Sequence, residues 1–106
     1  MEHGVNRGEI WLAEVGQQRR PVLVLTRTEV LDVRRLVTVA EIATTRRGLA
    51  VEVEVDHAAL GLERPSVVNC DGIHTVPQAR LTMKVGDLDA DVMAQVWGAV
   101  RAAIGC

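Results

Sequence analysis

Arg19-Arg20-Pro21-Val22-Leu23-Val24-Leu25-Thr26 is the stretch whose reading decides the fold. Proline has no N–H and disfavours the helical region for the residue before it, so a strand begins here and a helix does not. Val22 to Leu25 are apolar at both parities, the pattern of a central strand buried on both faces. Arg20 then stands at the mouth of that strand, fixed at its base by a rigid core. A cation held in this way can be aimed. Taken alone, it reads more readily as a solvated arginine ahead of a strand.

Working outward, Arg7 to Val15 reads as a first strand, and Gly16-Gln17-Gln18 as the turn into Arg19-Arg20-Pro21, with strand two running to about Thr26 and Arg27. Thr28 to Val33 has no clear period and reads as a helical turn or loop. Arg35 to Ile42 is β-branched and apolar, a third strand. Ala43-Thr44-Thr45-Arg46-Arg47-Gly48 is a polar loop. Val51, Val53 and Val55 then alternate with Glu52, Glu54 and Asp56, which describes a half-buried, antiparallel strand with a solvated acidic face. His57 to Pro65 is a connection with a short helical turn. Ser66 to Cys70 reads as a short strand entering a turn at Asp71-Gly72. Ile73 to Val76 extends again, Pro77 interrupts, and Leu81 to Val85 is a last strand.

The chain closes with a helix. Asp89 is its N-cap, Leu88 and Met93 form a hydrophobic staple, and Met93, Trp97, Val100 and Ile104 share one face with Val96 beside them. Gly98 suggests close backbone packing, Trp97 reads as core or subunit interface, and Gly105 ends the helix. Short strands with turn signals and one terminal helix predict a mainly β fold, a small and strongly curved β-barrel.

The totals narrow the function classes. With 106 residues the chain is read as one domain, residues 1–106, with no repeat and no linker. No apolar run is long enough to span a membrane and no signal-peptide core is present, so a cytoplasmic protein is expected. Cys70 and Cys106 lie far apart, form no zinc spacing and read as reduced thiols. A formal charge of −2 argues against a generic basic nucleic-acid binder, although arginine doublets at 19–20, 34–35 and 46–47 leave room for a local basic groove. Two Trp with no Phe or Tyr exclude the aromatic stacking platforms of common RNA modules.

Five motifs in order resemble the MazF/PemK family of toxins from toxin–antitoxin pairs. They are Arg7-Gly8-Glu9-Ile10-Trp11, Arg20-Pro21-Val22-Leu23-Val24-Leu25, Ala43-Thr44-Thr45-Arg46-Arg47, Ser66 to Thr75, and the closing helix. The resemblance spans nearly the whole chain. It implies an SH3-like barrel, a homodimer with an RNA groove near the subunit interface, and a small MazE-like antitoxin whose extended segment covers that groove. It also implies sequence-selective endoribonuclease activity without metal or other cofactor, acting on messenger or transfer RNA and leaving a 2′,3′-cyclic phosphate and a 5′-hydroxyl. The family's catalytic arginine before proline falls on Arg20. Where the family commonly carries Thr or Ser at the end of the third strand this chain has Ala43, so the hydroxyl is assigned to Thr44, with Thr45 close behind. Many relatives carry Gln after the acid at Asp71, where this chain has Gly72, and cleavage specificities therefore do not transfer.

Metal-free RNA cleavage uses the ribose 2′-hydroxyl as nucleophile, so the protein must align it, move protons and stabilise a dianionic phosphorane. The planar, permanently charged fork of Arg20 suits the last task and makes a poor proton shuttle. Asn69 and Asp71 read as base or ribose readers, His74 as an RNA contact that can titrate near neutrality, and Arg19, Arg46 and Arg47 as phosphate holders. Two other readings stand beside this one. A non-catalytic toxin like the gyrase-poisoning CcdB proteins would place its active surface on the terminal helix. A plain SH3-like binding module would need the aromatic residues this chain lacks.

Overall fold

A computed structural model describes residues 5–15, 17–27, 35–44 and 51–105, with the side chain of Val15 outside the description. Six strands form one antiparallel sheet: β1 (Glu9–Val15), β2 (Gln18–Val24), β3 (Leu36–Ala43), β4 (Glu52–Val55), β5 (Ser66–Pro77) and β6 (Leu81–Asp87). Their order across the sheet is β4-β5-β3-β2-β1-β6. The only α-helix among the described residues, α1 (Ala90–Ala103), follows β6, and a short 3-10 helix, Gln78–Arg80, joins β5 to β6. Among the described residues β4 and β6 are the edges, and the sheet curls as a small SH3-like barrel without closing.

Strand β2 is central, as its two-sided apolar run predicts. Val22, Leu23 and Val24 are buried, and so is Leu25 just past the strand. Leu23 and Leu25 join Ile10, Ala40, Ile42, Val68 and Val96 in the core beneath the helix. Val22 and Val24 join Trp11, Ala13, Val37, Val39 and Leu81 on the opposite face. Each such side chain contributes about 1.5–3 kcal/mol when fully buried, so β2 is pinned from both sides. Curvature comes from register shifts, two on the β1–β6 ladder and one on β3–β5.

The β3–β5 shift corrects the expected turn at Asp71-Gly72. Ala40 pairs with Ile73, but the next residue, Glu41, pairs with Asn69. The chain does not reverse. Cys70, Asp71 and Gly72 are absorbed as a bulge in one long strand, and the Asn69 Oδ1 accepts the Asp71 N–H at 3.1 Å. The Asp-Gly signal is thus a local one that long-range pairing on both sides overrides. Pro77 ends this strand, as expected of a residue with no N–H to give the ladder.

The acidic stripe behaves as read over most of its length, with Val53 and Val55 buried and Glu54 and Asp56 exposed, while Val51 and Glu52 at its start are both half-buried. At the helix start the Asp89 Oδ1 accepts the Val92 N–H at 2.9 Å, and Leu88 and Met93 both pack on the core. One helix expectation fails: a Cβ on Gly98 would meet nothing within 4 Å, so no close backbone packing requires it. Ile104 occupies the C-cap and is 61% exposed, yet it lines one groove with Trp97 and Val100, as their shared face predicts.

Candidate active site

The motif Arg7 to Trp11 proves to be a buried polar clamp. Gly8 adopts φ +88°, which only glycine takes without strain, and turns the chain into β1. Buried Glu9 then accepts from the Asn6 backbone N–H at 2.8 Å and from the Trp11 indole Nε1 at 2.9 Å. Lys84 of β6 completes the set at 3.0 Å. Arg7 donates from Nε to the Leu25 carbonyl at 2.9 Å and lies over Trp97 of α1, 4.8 Å from the ring centre. This clamp ties the N-terminus, β1, β6 and the helix together and so fixes the strand that flanks β2.

On β2, pairing with β3 begins only at Val22, opposite Glu41. Pro21 and Arg20 precede that contact and face only β1, opposite Leu12 and Ala13. A proline is tolerated where the ladder has one neighbour. Ala13 is buried and too small to fill the space beside it. The result is a pocket of about 70 Å³ with Ala13, Val22, Val39 and Val76 in its lining and with Arg20, Glu41, Ala43 and His74 as its polar or outer residues. Arg20 is exposed, and its Nη2 donates to the Gln18 Oε1 at 2.8 Å. Among the described residues it has no carboxylate partner, so its charge is free for an anion.

Glu41 is the residue that sequence reading passed over. It lies in a run of β-branched residues and carries no motif. The strand pairing reveals it: the His74 Nε2 sits 2.5 Å from the Glu41 Oε2, both side chains about half exposed. The bulge makes this meeting intimate. A Cβ on Gly72 would stand 3.0 Å from both the Asn69 Nδ2 and the Glu41 Oε1. Gly72→Ala is therefore expected to push the Glu41 carboxylate off His74 at a cost below about 1 kcal/mol in stability, since both obstacles are flexible side-chain ends. Faster exchange of the His74 Nε2 proton by NMR, with a nearly unchanged denaturation midpoint, checks this.

The other sequence candidates fall as follows. Thr44 is exposed one residue beyond β3 and outside the pocket lining, whose wall at that edge is Ala43. Arg19 is exposed opposite Glu14, and alternation along β2 turns it away from the face that carries Arg20. Asn69 is half-buried in the bulge, and Asp71 is exposed. Thr45, Arg46 and Arg47 lie outside the described residues, as do Cys106 and the segment from Thr28 to Val33. Cys70 is buried beneath the helix, and burial pushes its thiol up to about 11, which makes it an unreactive core residue. Among the described residues no three His, Cys, Asp or Glu side chains gather as a metal site. No helix among them is long and apolar enough to cross a membrane.

A curled antiparallel sheet with one packed helix and a pocket edged by Arg20, Glu41 and His74 defines a small SH3-like barrel. The chain belongs to the PemK-like, MazF-like toxins of type II toxin–antitoxin systems, whose family model matches residues 6–104. It is 36% identical over 102 residues to the probable endoribonuclease MazF2 of Mycobacterium tuberculosis, covering 96% of this chain and all of that one. It is 38% identical over 103 residues to the probable endoribonuclease MazF5 of the same organism, covering 94% and 93%. Among solved structures, the Mycobacterium tuberculosis toxin MazF-mt6 superposes with a TM-score of 0.85 at 43% identity, covering 92% of this chain and 96% of that one. A MazE–MazF structure from Deinococcus radiodurans superposes at 0.83 with 25% identity and 95% of each chain covered.

Proposed function

We propose that this chain is a single-domain endoribonuclease toxin that cuts single-stranded RNA, messenger or transfer, in the cytoplasm and is neutralised by a MazE-like antitoxin. The observation that carries the reading is Arg20: a guanidinium with no carboxylate partner among the described residues, anchored on a strand buried from both faces, at the edge of a small pocket of about 70 Å³. Relatives named as endoribonucleases, matched over almost their full length, support the same activity. The MazE–MazF relative supports an antitoxin partner.

In this reading the ribose 2′-oxygen attacks the adjacent phosphorus, and the 5′-oxygen leaves. The products are a 2′,3′-cyclic phosphate and a 5′-hydroxyl, with no metal and no protein nucleophile. Arg20 faces the phosphorane oxygens, where a planar fork of donors matches the developing charge. Thr44, or Thr45 beside it, adds a neutral hydrogen bond at the rim. Arg46 and Arg47 hold flanking phosphates, while Asn69, Asp71 and His74 meet bases or ribose; Arg19, turned from the face of Arg20, takes no part in this groove. A homodimer would extend the groove across two copies.

Inducing the protein in cells and sequencing the 5′-hydroxyl ends of cellular RNA tests activity, substrate class and motif together. Purified protein should also cut a long RNA transcript in the presence of a chelator. Loss of cutting on chelation, or ends bearing 5′-phosphates, would overturn this chemistry.

A further inference from the structure

We propose that His74, oriented by Glu41, is the group that accepts the 2′-hydroxyl proton in this pocket; the inference rests on the ribonuclease reading above. Cleavage of this kind needs a proton acceptor beside the phosphate, and Arg20 cannot serve because its guanidinium stays protonated. His74 and Arg20 line the same pocket.

The geometry selects a nitrogen. The Glu41 carboxylate can only accept a hydrogen bond, so its contact with the His74 Nε2 places the ring proton there. That leaves the Nδ1 lone pair free, with no partner among the described residues. A carboxylate on the far nitrogen both fixes the ring and stabilises the imidazolium that forms when Nδ1 takes a proton. The proton balance closes simply. The 2′-hydroxyl proton goes to Nδ1, the 2′-oxygen–phosphorus bond forms, the bond from phosphorus to the 5′-oxygen breaks, and that oxygen takes a proton from solvent. The imidazolium then returns its proton to solvent.

The pair is too exposed to contribute much as a structural ion pair. Its place is set instead by the register: His74 pairs with Val39 and so shares the face of Glu41, two residues along β3, on the side of the pocket that Arg20 lines. Among the described residues the charged groups facing His74 are Glu41 from β3 and Arg20 from β2, and β1 contributes the uncharged Ala13. Glu41 is a positioning residue here, and His74 is the one that meets substrate.

The test uses the full chain, a long RNA transcript and excess chelator, with single-turnover rates measured across pH for wild type, His74→Gln and Glu41→Gln. Wild type should show an ascending limb where an imidazole loses its proton. His74→Gln should lose that limb and fall about a hundredfold on the plateau, the low end for general-base catalysis. Glu41→Gln should keep the limb but lower the plateau, because the ring is no longer held by a carboxylate with Nδ1 toward the substrate. Added imidazole should partly restore His74→Gly. A His74→Gln variant with the wild-type profile would overturn the inference while leaving the ribonuclease reading intact. Wild type that cuts no RNA would instead overturn the reading itself.

Discussion

Arg20→Ala is expected to lower the cleavage rate by about a hundredfold to a thousandfold, or 3–4 kcal/mol, as befits a donor aimed at developing charge. The melting temperature should barely move. Arg20 is exposed, and its only side-chain bond among the described residues is to the neighbouring Gln18. The strand beneath it owes its stability to Val22, Leu23 and Val24, none of which the substitution touches. RNA affinity should drop less than the rate, because the guanidinium meets more charge in the phosphorane than in the ground-state phosphate. Arg20→Lys should recover only a fraction, since an ammonium cannot present two parallel donors. Single-turnover cleavage and filter binding on the same RNA separate the two effects. Full activity in the alanine variant would remove Arg20 from the mechanism.

The second large effect concerns stability and lies outside the pocket. Glu9→Ala is expected to cost about 2–3 kcal/mol, because it takes the carboxylate acceptor away from the Trp11 indole N–H and releases the Asn6 and Lys84 contacts. For a domain of this size that is a fall of roughly 10 °C or more in melting temperature. Acid should expose the same group. Burial raises the Glu9 carboxyl, but hydrogen bonds from Trp11, the Asn6 backbone, Lys84 and the Asn6 side chain outweigh it and hold the group below its ordinary 4.5. A carboxyl depressed in the folded state stabilises the fold at any pH above that ordinary value. The stabilisation is lost as pH falls through the lower folded value. Wild type should therefore lose stability below about pH 4.5, with the Glu9→Ala variant showing a shallower acid slope in denaturant titrations. Identical slopes would refute the clamp.

What could be read from the chain alone depended on how local the deciding forces were. The apolar run after Pro21, the alternation at Val53 and Val55, and the Asp89 cap are signals carried within a few residues, and each folds as written, although β4 starts at Glu52 and leaves Val51 in a turn. Asp71-Gly72 is a strong turn signal that failed, because pairing of β5 with β3 on both sides of it outweighs the local preference. Gly98 suggested packing that no neighbour requires. Glu41 stayed hidden for the opposite reason. Its significance is wholly a matter of which strand lies beside it, and 33 positions separate it from His74. Arg20 was legible through its proline, but the pocket was not. Nothing local to Ala13 announces that its small side chain leaves the space.

The break in register between β3 and β5 has an arithmetic consequence. In an uninterrupted strand, residues four apart point the same way, so Asn69 would share the side of Ile73 and turn toward the helix. The bulge changes that parity and lets Asn69 and His74 look out together. Here chain length acts as a switch with two settings. Inserting or deleting one residue within 70–72 would rotate one flank relative to the other and dismantle the site. A change of two would keep both flanks facing outward while altering the space between them. The floor of such a pocket could stay constant among relatives while its reach along a bound strand varied in steps of two.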